Sequence, residues 1–236
     1  MKSVLIFRHI AAEGPGYFAQ ILKNHGLRSW VIAVDQGEPI PCDLDECSGL
    51  VFMGGPMSVN DPLPWIEQEL SLIRKAVVNQ MPTLVHCLGG QLISKALGGT
   101  VTRNTVKEIG WHEVESIRNG AAVSWLKNIP DRFTAFHWHG ETFTIPPGAT
   151  GTLGNKHCAN QGFAMGKHLG MQCHIEMTEE MVREWCDLGE EEIASASASP
   201  AVQQAAEILV NLAERVNILN AAAQKIYSKW IEGLVR

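Results

Sequence analysis

The sequence predicts an α/β protein with a mostly parallel central sheet and helices on both of its faces. Three observations carry that expectation. Short apolar runs alternate with segments whose apolar residues recur every three or four positions, in the order β-α-β-loop-β-α-β-α. No apolar segment approaches the length of a membrane span. Two sharp corners, Gly54-Gly55-Pro56 and Cys87-Leu88-Gly89, stand directly after such runs, at the strand ends where parallel sheets place their ligands.

Taken in order, Val4 to Arg8 reads as a buried first strand. Gly14-Pro15-Gly16 then opens a helix that carries Phe18, Ile21 and Leu22 on one face and closes at Gly26. Trp30 to Val34 is a second β-rich run, and the polar, proline-bearing residues 35–48 read as loop. Leu50 to Met53 forms a third strand. From Pro64, the residues Ile66, Leu70, Ile73 and Val77 mark a helix reaching Gln80. Behind Pro82, Thr83-Leu84-Val85-His86 has the pattern of a buried strand; the period then changes at Cys87, and Leu88, Leu92 and Ala96 recur at helical spacing.

The middle of the chain reads differently. Val101-Thr102, Trp111 to Val114, Phe133 to His137, Thr152-Leu153 and Phe163 to Met165 are short β-type runs, expected as antiparallel additions to the sheet edge. Gly170 to Glu176 returns as a strand, and Met177 to Leu188 as a helix. Residues 190–199 form a polar, Ser/Ala-rich connector, and Pro200 starts a last helix. That helix bears Ala205, Leu209, Leu212, Val216, Leu219, Ala223, Ile226 and Trp230 at alternating spacings of four and three. Such a stripe serves either packing on the parent domain or a coiled-coil homodimer, and packing is the expected use. The whole order describes a flavodoxin-like three-layer sandwich with antiparallel edge additions and C-terminal helices.

Composition narrows the function. With 236 residues, 45% apolar and 19% charged, the chain can bury a substantial core. A net charge of -6 and the lack of a Lys/Arg cluster argue against nucleic acid as a partner. The run after Met1-Lys2-Ser3 is too short for a signal peptide, so the six cysteines are expected as reduced thiols in a cytoplasm, with no membrane partner. Cys42 and Cys47 lack a second ligand pair, and no metal is expected. No phosphate-binding loop or nucleotide fingerprint occurs, so neither a cofactor nor a fused synthase domain is expected.

Cys87 sits where a nucleophile elbow would place it, on the corner between a strand and a helix. The helix N-terminus favours thiolate over thiol, and the N–H of Leu88 is free to meet a developing oxyanion. Buried cysteines, however, more often serve as small hydrophobes. His174-Ile175-Glu176 offers a base with an attached orienter, because residues two apart in an extended strand share a side. Gly54-Gly55 lets backbone N–H groups approach a substrate oxygen. His137-Trp138-His139-Gly140-Glu141 reads as a substrate-facing loop in preference to a metal site, since no third ligand stands at matching spacing.

Gly54-Gly55-Pro56, Cys87-Leu88-Gly89-Gly90-Gln91, His139-Gly140-Glu141 and His174-Ile175-Glu176, in this order, resemble the class I glutamine amidotransferase domain. The resemblance runs from about Val4 to Glu176. Residues 136–143 are most similar to a free-standing branch that includes γ-glutamyl peptide hydrolases. The resemblance implies a domain over residues 1–189, followed by the connector and C-terminal helix of residues 190–236 packed on it. It implies attack by Cys87 on the side-chain amide of glutamine or on a γ-glutamyl amide, release of ammonia or an amine, and hydrolysis of the thioester. It also implies a Cys87, His174, Glu176 triad, oxyanion donors at Gly55 and Leu88, and substrate contacts at Gly54, Met57, Gln91, Trp138 and His139. A partner synthase supplied with ammonia, and a catalytically silent binding homologue, are the competing readings. Two positions depart from the family. Val85 stands where glycine is usual, and would crowd the strand–helix contact. Cys173 and Ile175 replace the common phenylalanine and proline around the base.

Overall fold

A computed structural model describes residues 2–235. Strands β1 (Ser3–Arg8), β2 (Ser29–Ala33), β3 (Cys47–Phe52) and β4 (Thr83–His86) alternate with helices α1 (Gly16–Asn24), α2 (Pro64–Val78) and α3 (Leu88–Ala96). They pair in parallel in the order β2-β1-β3-β4, and β9 (His168–Met171) continues the parallel set beside β4. Beyond β9 the pairing turns antiparallel through β8 (Gly162–Met165), β7 (Thr150–Gly154), β5 (Val101–Ser116) and β6 (Arg132–Phe143), with the short helix α4 (Ala122–Trp125) between β5 and β6. The expected α/β sandwich with antiparallel edge additions is therefore the observed one.

The side-chain period of two in each strand divides the core into two layers. On β1, Val4 and Ile6 join α1 and the C-terminal helices, whereas Phe7 joins α2 and α3. On β3, Val51 faces the first layer, as does Met53 just beyond the strand, and Leu50 and Phe52 face the second; on β4, Leu84 and Val85 divide likewise. Each such fully buried side chain contributes about 1.5–3 kcal/mol.

Four expectations change. The two runs at Val101 and Trp111 are one strand, β5, interrupted by an irregularity between Arg103 and Glu108. Residues 137–141, expected as loop, lie within β6. Their alternation is real, but its inward members are His137 and His139, and buried polar residues hide a strand from an apolar pattern. The strand expected through Glu176 ends at Met171, and His174 reaches β6 only through an isolated bridge to Phe136. Finally, the C-terminal segment is subdivided. α5 (Glu179–Leu188) is followed by α6 (Glu190–Ser195), where a connector was expected; Glu190, Glu191 and Glu192 in its first turn complement the helix dipole.

After Pro200 the chain first adds β10 (Ala201–Val202) beside β5. A capping box between Gln204 and Glu207 then opens α7 (Ala205–Ile208), and left-handed Asn211 separates it from α8 (Leu212–Ile231). The stripe Leu212, Val216, Leu219, Ala223, Ile226 and Trp230 is buried inside the chain, against α1, α5 and β6. It is thus not a free coiled-coil face. No helix among the described residues is long and apolar enough to cross a membrane.

Candidate active site

Cys87 joins β4 to α3 with φ 49° and ψ -109°, a conformation costing roughly 1–3 kcal/mol in a non-glycine residue. Its N–H is anchored on the Met171 carbonyl of β9 at 2.8 Å. The first turn of α3 lies so close to the sheet that a Cβ on Gly89 would meet the Phe52 carbonyl oxygen at 2.3 Å. One on Gly90 would meet that of Met171 at 2.4 Å. The close approach is made at these two glycines, while Val85 packs into the layer of α2 and α3. The crowding expected from Val85 therefore does not arise. Leu88 is the first residue of α3, so its N–H has no partner within the helix. Neither it nor the N–H of Gly55 donates to another group among the described residues. Gly55 stands across from Leu88: a Cβ on it would come within 3.0 Å of Leu88 Cδ2.

His174 is fully buried beside Cys87. Its Nδ1 lies 2.7 Å from Glu176 Oε1, and its Nε2 has no hydrogen-bond partner among the described residues. Donation from Nδ1 to the carboxylate leaves Nε2 as the basic nitrogen. Burial opposes charge on this ring, but Glu176 and Cys87 outweigh it and hold His174 well above the usual histidine range. Burial also opposes charge on Glu176, yet neighbouring His86 and His174 bring its carboxyl down to about 2. Burial keeps His86 below the usual histidine range, against the pull of Glu176. His86 Nε2 lies 3.6 Å from Glu176 Oε2 and 3.0 Å from the Tyr227 hydroxyl on α8. Burial pushes the Cys87 thiol up, and His174 acts in the opposite sense. The Gln172 amide approaches Cys87 Sγ at 3.6 Å.

A family model described as Glutamine amidotransferase class-I matches residues 18–183, the stretch that contains all three of these residues. The chain belongs to the class-I glutamine amidotransferase family. A crystal structure of a glutamine amidotransferase from Methylobacillus flagellatus superposes with a TM-score of 0.96 at 46% identity, covering 100% of this chain and 96% of that one. The glutamine amidotransferase-like protein YfeJ of Salmonella typhimurium is 29% identical over 206 residues, 85% of this chain and 86% of YfeJ. A glutamine-hydrolysing GMP synthase subunit of Sulfurisphaera tokodaii is 30% identical over 159 residues, 66% of this chain and 80% of that protein.

In this amidotransferase-family chain a cavity of about 810 Å³ is lined in part by Glu13, Gly55, Met57, Gln91, Trp138 and Glu192. Cys87 itself is only 6% exposed and lies beneath the lining, 3.9 Å from the Trp138 carbonyl oxygen. Gly55, Met57, Gln91 and Trp138 are thus brought together beside the thiol. Gly54 lies directly behind, its Cα against the Glu13 carboxylate. Trp138 donates from Nε1 to Glu192 at 2.8 Å, and Glu192 also pairs with Lys107. The segment expected as a connector therefore forms one wall of the cavity.

His139 does not face the cavity. It points with His137 to the opposite side of β6, toward Glu108, its cross-strand partner on β5. Glu108 is the third ligand type that local spacing did not supply, and the three ligand atoms lie within 4.8 Å of one another. The Gln161 amide nitrogen sits 2.7 Å from Glu108 Oε2 and 3.4 Å from His139 Nε2, and Asn155 donates to Oε1 at 2.6 Å. Glu108, His139, Asn155 and Gln161 form a polar anchor between β5 and β6, while neither ring nitrogen of His137 has a hydrogen-bond partner among the described residues. Burial would raise the Glu108 carboxyl, but the His139 hydrogen bond leads the opposing effects that take it to about 2. Its stabilisation is therefore complete above pH ~4.5 and lost as pH falls toward 2. Glu108→Ala, which strands the buried donors of His139, Asn155 and Gln161, should lower stability by about 3 kcal/mol at neutral pH. Urea unfolding followed by tryptophan fluorescence checks this; a loss below about 1 kcal/mol would mean that the carboxylate anchors nothing.

Sequence reasoning missed Glu13, His86, Gln172, Glu192 and Trp185, whose ring stands edge-on to His174 with 4.8 Å between centroids and lines the cavity. Glu13 had a usable signal, being a polar residue just beyond the first strand of a parallel sheet. The others reach the site only through tertiary packing.

Proposed function

We propose that this chain hydrolyses the side-chain amide of glutamine or a γ-glutamyl amide through a thioester on Cys87. The observation that carries the reading is the line of groups Cys87, His174 and Glu176, with Nδ1 committed to the carboxylate at 2.7 Å and Nε2 unpartnered beside an elbow thiol. His174 takes the thiol proton, and sulfur attacks the amide carbon. The N–H groups of Gly55 and Leu88 receive the oxyanion. His174 returns its proton to the leaving nitrogen, and water activated by the same ring releases glutamate. Gln91, Met57 and Trp138 line the substrate side; His139, turned to Glu108, is a positioning residue for β6.

A second reading is a glutaminase component that feeds ammonia to a partner synthase, favoured by the similarity to the GMP synthase subunit of Sulfurisphaera tokodaii. The assembled line of side chains, which needs no residue from another protein, and the wide cavity beside it support autonomous hydrolysis. Purified protein alone should therefore release glutamate from glutamine or from γ-glutamyl dipeptides. Trp138→Ala should change the ratio of kcat/KM between these substrates by roughly tenfold, because its indole forms part of the cavity wall. Turnover that begins only when a second protein is added would establish the synthase-partner reading instead.

A further inference from the structure

Glu13 has no part in the chemistry above, yet its carboxylate reaches the reacting groups. It stands between β1 and α1, held by its own N–H on the Ile10 carbonyl at 3.1 Å. The residue lines the cavity, while its Oε2 is shut from solvent and has no hydrogen-bond partner among the described residues. A Cβ on Gly54 would meet that oxygen at 1.9 Å and His174 Cε1 at 3.1 Å. The carboxylate and the edge of the His174 ring therefore crowd the same small space, left open by a glycine. A buried carboxylate oxygen without a partner is costly. A purely structural acid would spend that oxygen on a protein donor, as Glu108 does.

The position within the site indicates the missing donor. The oxyanion is held on the Gly55 and Leu88 side, and the nitrogen that leaves must lie at His174 Nε2 to receive its proton. A group packed against the His174 ring and the cavity wall is on the leaving-nitrogen side. Resting on the proposed hydrolysis, we infer that Glu13 accepts a hydrogen bond from the leaving nitrogen and thereby selects amides over esters of the same acyl group. In the step itself the Cys87 sulfur–carbon bond forms and the carbonyl electron pair moves to oxygen. On collapse the carbon–nitrogen bond breaks with its pair on nitrogen, and His174 supplies the proton. Ammonia or an amine departs; Glu13 holds an N–H throughout and takes no proton. Burial raises the Glu13 carboxyl to about 7, against the pull of His174 and His9 and with the push of Glu176 and Glu192. An N–H aimed at Oε2 would favour the ionised form.

The test compares L-glutamine with L-glutamate γ-methyl ester, which forms the same thioester but has no N–H on its leaving atom. The readout is the amide-to-ester ratio of kcat/KM, which reports acylation and not the shared hydrolysis of the thioester. Glu13→Gln, nearly isosteric and lacking the charge, should lower that ratio roughly ten- to hundredfold. Glu13→Asp should lose less. A ratio within about threefold of wild type in Glu13→Gln would overturn the inference, whether both substrates slow together or neither does. In particular, a parallel loss would place Glu13 on the α-ammonium group that both substrates carry. Wild-type protein inert toward amide and ester alike would overturn the hydrolysis reading and this inference with it.

Discussion

Cys87→Ser should leave the protein folded and reduce hydrolysis of glutamine or a γ-glutamyl amide by about 10^4-fold or more. The expectation follows from where the thiol stands. Cys87 occupies a strained corner that aims its side chain beneath the cavity, and its neighbour His174 has one nitrogen free to take the proton. A serine hydroxyl in the same place gives up its proton far less readily. Chemical modification supplies an independent check. The exposed Cys42 will react with iodoacetamide, but activity should be lost in step with modification of Cys87. Cys47 and Cys186 are both pushed up to about 11 by burial, and burial also raises Cys158 and Cys173, so these four should react slowly. Wild-type activity surviving complete modification of Cys87, or Cys87→Ser retaining more than a tenth of wild-type turnover, would remove the thiol from the mechanism.

The parallel half of the sheet and the corner at Cys87 were legible in the sequence because they depend on local signals. Strands buried on both faces are apolar throughout, helices show their spacing, and a helix that begins hard against the sheet needs glycines such as Gly89 and Gly90. His174 and Glu176 were legible as a pair because only Ile175 separates them, although the regular strand ends before they are reached. What stayed hidden has a common physical cause. In β6 the inward positions hold His137 and His139; the carboxylate beside both, Glu108, comes from β5, and its partners Asn155 and Gln161 come from later loops. No local pattern reports a partner so distant in sequence. The same holds for His86, whose ring meets Tyr227 across 141 positions of chain, and for Glu192, which reaches Trp138 from a segment that looked like a spacer. His139 shows the opposite error: the resemblance put it on the substrate side, and the alternation of β6 turns it away.

His174→Ala should be as damaging as loss of the thiol, about 10^4-fold or more, since it removes both the base for Cys87 and the acid for the leaving nitrogen. Glu176→Gln should cost less, roughly 10^2- to 10^4-fold, because the ring remains but loses the carboxylate that sets its tautomer and compensates its charge. The pH profile separates these roles from a merely structural one. Cys87, Glu176, Glu13 and His86 all face the His174 ring. In the wild-type protein Glu176 and Cys87 outweigh burial and raise His174, so the pair binds its extra proton more tightly than an isolated histidine would. kcat/KM should accordingly fall as pH drops through an apparent pKa above ~6.5, a value belonging to the coupled pair. Glu176, held at about 2, stays ionised across this range and contributes no limb of its own. Glu176→Gln takes away the leading favourable charge on the imidazolium, and the acid limb should therefore move to lower pH even as the plateau falls. A limb that stays in place or moves upward, with kcat/KM measured from pH 5 to 9, would show that the carboxylate does not govern the base. A plateau that also matched wild type would leave Glu176 outside the mechanism.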